Sequence, residues 1–230
     1  MITPTLRERY GNDLDWLGRF KPRLRISNNQ GYLIAKRLFD MLFVILTSPL
    51  WIPLILIISL FIKLESPRDP IFFLQERTGK NGYRFCIYKF RTMVPNAEAL
   101  KCELMHLNEL QWPDFKIQND PRITRVGKIL RKTSLDELPQ IFNLLFGQMT
   151  LVGPRPTSFH PETYRLWQTE RLDAIPGITG LWQILGRNKT EFDERSQLDI
   201  AYIQRACLRL DLEILLRTFQ VILTRRSLGC

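Results

Sequence analysis

Asp136 and Glu137 are adjacent carboxylates in the stretch Thr133-Ser134-Leu135-Asp136-Glu137-Leu138-Pro139-Gln140, which follows a basic segment and precedes an apolar one. Arg122, Arg125, Lys128, Arg131 and Lys132 crowd the approach, and downstream Gly153-Pro154-Arg155-Pro156 carries an arginine in a loop stiffened by proline on both sides. Acids embedded among bases suit chemistry on a polyanion. The cations offset phosphate charge. The octet also has a plain structural reading. Ser134 and Glu137 match the capping box S-x-x-E, and Asp136 favours the positive end of a helix, so cap and catalyst both stand at this point.

Two further segments bring cations that suit phosphate. In Tyr88-Lys89-Phe90-Arg91-Thr92-Met93, period-two alternation puts Lys89 and Arg91 on one face of a strand and Tyr88 and Phe90 on the other. The face is either a phosphate-facing edge or a solvated one. The glycine-punctuated run Ile178 to Asn188 reads as a loop that delivers Arg187.

The elements that must position these residues begin with composition. With 230 residues and a formal net charge of +10, the chain has room for a real core and favours an anionic partner: nucleic acid, acidic lipid or phosphorylated substrate. Its four cysteines are widely spaced, without a C-x-x-C pair, and it has two histidines. That argues against a zinc site or a disulfide framework and fits a reducing compartment. Neither a P-loop nor G-x-G-x-x-G is present, so a standard nucleotide-binding glycine loop is not supported.

Met41 to Ile62 runs without a charge. At about 1.5 Å per residue it is long enough for a bilayer core of about 30 Å. Ser48-Pro49 and Pro53 fall inside the run, where proline removes a backbone bond and bends or breaks a helix. Residues 1 to 37 hold eight basic side chains against three acidic ones, and Lys63, Arg68, Arg77 and Lys80 follow the run. A simple crossing puts one basic flank outside, against the positive-inside tendency. A helix-break-helix that dips in and returns keeps both flanks on one side, with Ser48 satisfying carbonyls freed at the bend.

The organisation expected is therefore residues 1–35 as a polar, basic N-terminal arm, either surface-hugging with Trp16, Leu17 and Phe20 dipping into an interface or partly disordered, 36–63 as a re-entrant membrane helix, and 64–230 as a cytoplasmic catalytic domain with interfacial helices. No apolar h-region lies in the arm, so no cleavable signal peptide is expected there. Ile71 to Leu74 and Tyr83 to Phe90 read as two strands around the turn at Thr78 to Gly82. Helices are expected at 96–111, in a basic amphipathic segment with Ile123, Val126, Ile129 and Leu130 on one side, from near Ser134 to Phe146, at 162–174, 190–207 and 210–226. Met149 to Val152 is a short strand. The fold class is α+β, mainly helical with a small β-hairpin or sheet, plus amphipathic interfacial helices; the last helix reads equally as core or as membrane interface.

Several segments, in order, resemble one family: Lys36-Arg37-Leu38-Phe39-Asp40, Ser48-Pro49, Tyr88 to Met93, Asp120-Pro121-Arg122-Ile123-Thr124, Ser134 to Leu138, Leu151 to Pro156, and Pro176-Gly177-Ile178-Thr179-Gly180 with Gly186-Arg187-Asn188. The chain is similar to the bacterial sugar transferases, monotopic phosphoglycosyl transferases that act on a polyprenyl phosphate, over roughly residues 33 to 225. The resemblance implies transfer of a sugar 1-phosphate from a nucleoside diphosphate sugar, usually a UDP-sugar, to undecaprenyl phosphate. It implies the bacterial inner (cytoplasmic) membrane as location, with the catalytic domain on the cytoplasmic face, and membrane lipid as a partner. It casts Asp136 as the nucleophile of an aspartyl-phosphosugar intermediate, Glu137 beside it, and Mg2+ as cofactor held by the two. Lys89, Arg91, Arg131, Arg155 and Arg187 become phosphate-binding candidates, with Asp211 a further candidate that ion pairing within the fold would equally explain. Asp40 has an alternative partner in Arg37, one helical turn earlier.

The rival class is a membrane-anchored basic scaffold for acidic lipid or nucleic acid, which leaves the acids inside the basic region unexplained. A phosphohydrolase using the same carboxylates is a third reading. With an enzyme of the resembled kind, no nucleic-acid partner is expected; the sugar, the glycan pathway and a homodimer are left open.

Overall fold

The computed structural model of the chain describes residues 4–22, 29–107, 117, 119–185 and 191–223. Its α-helices are α1 (Pro4–Tyr10), α2 (Gln30–Glu65), α3 (Ala99–Glu103), α4 (Arg125–Thr133), α5 (Gln140–Leu145), α6 (Leu181–Leu185), α7 (Phe192–Ile203) and α8 (Leu208–Leu223). The strands are β1 (Phe72–Thr78), β2 (Arg84–Phe90), β3 (Thr150–Val152) and β4 (Gly177–Thr179), forming a β1-β2 sheet and a β3-β4 sheet. The protein is mostly helical with little sheet. Contacts divide it into two compact units: Met1–Thr47, Gln75–Ile87 and Gln140–Ser227 make one, and Ser48–Leu74, Tyr88–Pro139 and Leu228–Cys230 the other. One division falls inside α2, between Thr47 and Ser48.

In the first unit, β3 and β4 pair in parallel, Thr150 opposite Gly177 and Val152 opposite Thr179. Their backbones come unusually close. A Cβ on Gly177 would lie 2.0 Å from the Gly153 nitrogen, and one on Gly180 would lie 2.4 Å from the Gly153 carbonyl oxygen. The glycines of Val152-Gly153-Pro154 and Pro176-Gly177-Ile178-Thr179-Gly180 are there because no side chain fits.

The start of α2 is fixed to this sheet by buried acids. Asp40, 2% exposed, accepts from the Thr150 hydroxyl at 2.6 Å and the Leu151 N–H at 3.2 Å. Asp211 of α8 accepts from Lys36 (2.6 Å), Tyr32 (2.9 Å) and Tyr202 (2.7 Å). Arg37 is not the partner of Asp40: it donates to the Leu144 and Leu145 carbonyls at 2.5 and 2.8 Å. These carbonyls lie at the end of α5, where Gly147, at φ +74°, turns the chain and donates its own N–H to the Leu144 carbonyl at 3.1 Å.

Two sequence expectations in this unit, at 162–174 and after Pro176, are revised, and the N-terminal arm and α8 are placed as follows. The N-terminal arm is folded against its own unit: α1 and the 3-10 helix Gly11–Arg19 bury Leu6, Leu14, Trp16 and Leu17, and the Arg217 guanidinium lies 4.2 Å from the Trp16 ring centre. Leu14 and Leu17 are three apart, a spacing that puts both side chains on one face of the 3-10 helix. Residues 162–174 form 3-10 turns, Pro161–Thr163 and Leu166–Asp173, rather than one helix. The expected loop after Pro176 contains β4 and α6. Last, α8 is core on one side and exposed on the other: Leu210 and Ile214 are fully buried, whereas Leu212, Leu216 and Phe219 are 47 to 62% exposed.

In the second unit the chain leaving β2 forms a seat for α4. The Thr92 carbonyl accepts from the Thr124 N–H at 3.0 Å, Val94 N–H donates to the Arg122 carbonyl at 2.9 Å, and Met93 bridges Ile123. Asp120 and Arg122 are a buried bidentate pair, at 2.6 and 2.9 Å, which holds the Asp120 carboxyl below the ordinary carboxylate range. The first turn of α4 is capped twice. Thr124 Oγ1 accepts from the Gly127 N–H at 2.9 Å, and the Glu65 carboxylate, at the end of α2, accepts from the N–H groups of Arg125 (2.8 Å) and Val126 (3.2 Å). Gly127 and Leu130 form the buried side of α4, while Ile129 is 64% exposed among Arg125, Lys128 and Lys132, so the apolar face proposed from the helical wheel is rotated. Of the helix expected at 96–111, α3 and the 3-10 turn Met105–Leu107 are seen, and 108–111 lie outside the described residues.

α2 is 36 residues long and carries Pro49 and Pro53 inside a continuous helical assignment. It is apolar and long enough to cross a membrane, and 17% of its most apolar window is buried. Thr47 donates to the Phe43 carbonyl at 2.7 Å, a back-bond that favours bending next to Pro49.

A Cβ on Gly127 would sit 2.1 Å from the Thr92 carbonyl oxygen, a contact only a backbone shift could relieve. Gly127→Ala is expected to destabilise by about 1 to 3 kcal/mol in urea unfolding, as overpacking does. Gly18→Ala, with nothing within 4 Å, is the control and should change little.

Candidate active site

The Asp136-Glu137 pair lies on a 3-10 turn, Leu135–Glu137, entered from α4 through Ser134. Ser134 has φ 57°, the left-handed conformation, and its N–H closes α4 on the Arg131 carbonyl at 3.2 Å. Its side chain makes no cap bond to the following turn. The side-chain capping box is therefore absent: Ser134 ends α4, and only its carbonyl, which accepts from the Glu137 N–H at 3.4 Å, opens the turn that follows. Pro139 has no N–H to continue the turn, and α5 begins separately at Gln140, so no helix runs from Ser134 to Phe146. The carboxylates are thus held on a short turn between two helices.

Within the second unit, Lys89 of β2 donates to Glu137 Oε1 at 3.0 Å, with side chains 18% and 24% exposed. Arg131, in the last turn of α4, donates from Nε to Thr92 Oγ1 at 2.9 Å. The Asp136 carboxyl is pushed above its ordinary range, first by burial and then by the Glu137 charge, with Lys89 and Arg131 pulling the other way. Such a half-buried carboxylate between one acid and two cations is the environment in which ionised form and reactivity are tuned. Arg91, next on the chain, donates its backbone N–H to the Ile71 carbonyl at 2.9 Å, and its Nε is buried without a hydrogen-bond partner among the described residues.

The remaining candidates are placed differently. Arg155 belongs to the first unit, where its half-buried side chain follows Gly153-Pro154 and its carbonyl accepts from Arg171 Nη2 at 2.9 Å. Arg171 is paired in turn with buried Asp199 at 2.5 Å. Arg187 lies outside the described residues. Asp211 holds Lys36, Tyr32 and Tyr202 and has a structural role. Ser48 and Pro49 are in α2. A cleft in the first unit is bordered by Tyr32, Lys36, Arg37, Asp40, Lys80 and Ile175, but its Lys36 and Arg37 already bond to protein groups.

Among the described residues no cluster of three or more His, Cys, Asp or Glu side chains is formed. Asp136 and Glu137 are the acids a divalent ion would use. Two carboxylates fit Mg2+, which keeps waters and takes its other ligands from substrate phosphates rather than from an all-protein cage.

Thr92 and Glu65 are the residues that sequence reasoning did not reach. Their partners lie 39 and 60 residues away, respectively, and neither spacing carries a periodic signal.

The family model described as bacterial sugar transferase matches residues 31–225. The galactosyl transferase CpsE of Streptococcus agalactiae is 45% identical over 194 residues, covering 84% of this chain and 43% of the relative. The undecaprenyl-phosphate galactose phosphotransferase of Salmonella typhimurium is 42% identical over 214 residues, 88% of this chain and 44% of the relative. The exopolysaccharide production protein ExoY of Rhizobium meliloti is 39% identical over 199 residues, 84% of this chain and 88% of the relative. The chain thus spans less than half of the first two and most of the third.

If Ser134 only ends α4, Ser134→Ala should leave stability unchanged to within a few tenths of a kcal/mol, since no side-chain cap is lost. Ser134→Gly should raise it by up to about 1 kcal/mol by relieving the left-handed backbone. Urea unfolding of the two variants checks both.

Proposed function

The chain belongs to the bacterial sugar transferase family, and we propose that it transfers a sugar 1-phosphate from a nucleoside diphosphate sugar, a UDP-sugar by family precedent, to undecaprenyl phosphate, so starting a bacterial surface glycan. The observation that carries the reading is the Asp136-Glu137 turn, a half-buried acid pair flanked by Lys89 and Arg131. A scaffold for acidic lipid needs the cations and has no use for the acids.

In this reading an Asp136 carboxylate oxygen attacks the phosphorus that bears the sugar. The P–O bond to the nucleoside monophosphate breaks, and that bond's electron pair leaves with the nucleotide. An aspartyl-phosphosugar remains. A phosphate oxygen of undecaprenyl phosphate then attacks the same phosphorus, the aspartyl bond breaks, and Asp136 is regenerated as polyprenyl diphosphosugar is released. The covalent step lets a water-soluble donor and a lipid acceptor use one site in turn. Lys89 holds Glu137 in place, and Arg131 supplies a guanidinium for phosphate oxygens, opposing the repulsion between carboxylate and diphosphate. Mg2+, held by Asp136 and Glu137 with the substrate phosphates, would add charge neutralisation. Arg91, Arg155 and Arg187 are assigned to phosphate binding on the motif match alone.

The proposal extends to the membrane. α2 enters the inner membrane from the cytoplasmic face and returns, bent at Ser48-Pro49. Basic residues on both flanks and two prolines within the helix support this. Leu212, Leu216 and Phe219 of α8 then meet the lipid interface, and Asp136 and Glu137 stay on the cytoplasmic side.

With purified protein, Mg2+, undecaprenyl phosphate and a panel of nucleotide sugars, the wild type should release nucleoside monophosphate, whereas Asp136→Asn should lose turnover and fail to retain labelled sugar phosphate. Full activity in Asp136→Asn sinks the nucleophile assignment. For topology, a single cysteine at Gln30 or at Ser66 in a cysteine-free background should resist a membrane-impermeant maleimide applied outside spheroplasts. Labelling of either one indicates a crossing helix.

A further inference from the structure

Resting on the phosphotransfer reading, we propose that Thr92 is a positioning residue. Its hydroxyl holds the Arg131 guanidinium by Nε and leaves both terminal nitrogens for a phosphate group.

Four observations meet at this residue. Thr92 is 7% exposed, and its Oγ1 accepts from Arg131 Nε at 2.9 Å. Its main chain is fixed independently of that hydroxyl, because its carbonyl takes the Thr124 N–H at 3.0 Å and faces Gly127 at a distance no Cβ could tolerate. The terminal nitrogens of Arg131 have no hydrogen-bond partner among the described residues. Arg131 is in the same helix turn that ends at Ser134, directly before the acid pair.

Arginine binds phosphate best through a fork of two parallel N–H bonds, and Nε is frequently one of its prongs. Engaging Nε with Thr92 removes that mode and leaves the pair Nη1 and Nη2. It also restrains a side chain that otherwise loses much rotameric freedom on binding. The hydroxyl serves as acceptor here and keeps its own proton for another group. Thr92 touches neither substrate nor reacting atoms; it acts through Arg131.

The test uses the full-length wild type with Thr92→Val, Thr92→Ser, Arg131→Lys and the Thr92→Val/Arg131→Lys double variant. Thr92→Val keeps shape and backbone bonds and removes the acceptor. Its kcat/KM for the nucleotide sugar should fall roughly tenfold to a hundredfold, the range for a lost hydrogen bond to a charged group, mostly through KM. Thr92→Ser should restore most of the loss. In the Arg131→Lys background Thr92→Val should add nothing, since lysine has no Nε–H for Thr92 to hold. A second readout needs no turnover: the slowly exchanging Arg131 Nε–H resonance should be present in wild type and Thr92→Ser and lost in Thr92→Val.

A Thr92→Val protein with unchanged kcat/KM, a persisting Nε–H signal, or the same loss in both Arg131 backgrounds overturns the role of Thr92. A loss of active fraction at unchanged KM also overturns it, as the mark of a merely structural residue. A wild type that turns over no donor overturns the phosphotransfer reading itself. The arginine signal distinguishes that result from a failure of the Thr92 contact.

Discussion

The close approach of Gly127 to the Thr92 carbonyl sets the geometry of the second unit. Two backbone segments meet there at a distance that excludes any side chain on the helix. That contact seats the first turns of α4 against the chain leaving β2, from where Arg131 reaches back to the Thr92 hydroxyl. The left-handed Ser134 then swings the chain out of helical register, so that Asp136 is carried by a tight turn. The candidate nucleophile is consequently positioned by main-chain packing, with side chains adding charge and alignment. Backbone contacts of this type do not relax by rotamer change, which makes them a firm base for a site that must hold charges in fixed relation.

The first unit uses a different device: acids taken out of water and bonded. Asp40, Asp199 and Asp211 are each at most 3% exposed. Asp40 joins α2 to β3, Asp199 pairs with Arg171, and Asp211 joins α8 to α2 and α7. Buried pairs add little net stability over an apolar core, since desolvation offsets the Coulombic gain. Their effect here is on arrangement: each acid accepts only from groups at one position, and a slipped helix leaves a buried charge unpaired.

Much of this was legible in the sequence, for identifiable reasons. The apolar run from Met41, the hairpin around Asn81-Gly82 and the two C-terminal helices follow from hydrophobic pattern and turn chemistry, which are local. The acid pair stood out because carboxylates within a basic stretch are unusual. What the sequence did not disclose was non-local or conformational. Ser134-Leu135-Asp136-Glu137 has the letters of a capping box, yet the preceding helix claims Ser134 for its own end and Pro139 prevents a continuous helix beyond. Asp40 was matched to its sequence neighbour Arg37, when both had better partners more than a hundred residues away. The glycines at 153, 177 and 180 marked a family motif, but their reason, a crossing of bare backbones, shows only in three dimensions.

The two-faced α8 has a mechanical consequence. Its inward side carries Asp211 on Lys36 of α2, and the very next residue, Leu212, points its side chain to the exterior. If that exterior is lipid, the helix is a beam loaded from both sides, and a force that lifts its outer face is delivered one residue away to the ionic joint that seats α2. Surface attachment and core integrity are then a single load path. Tyr32 and Tyr202 share that path, because both bond to the same Asp211 carboxylate.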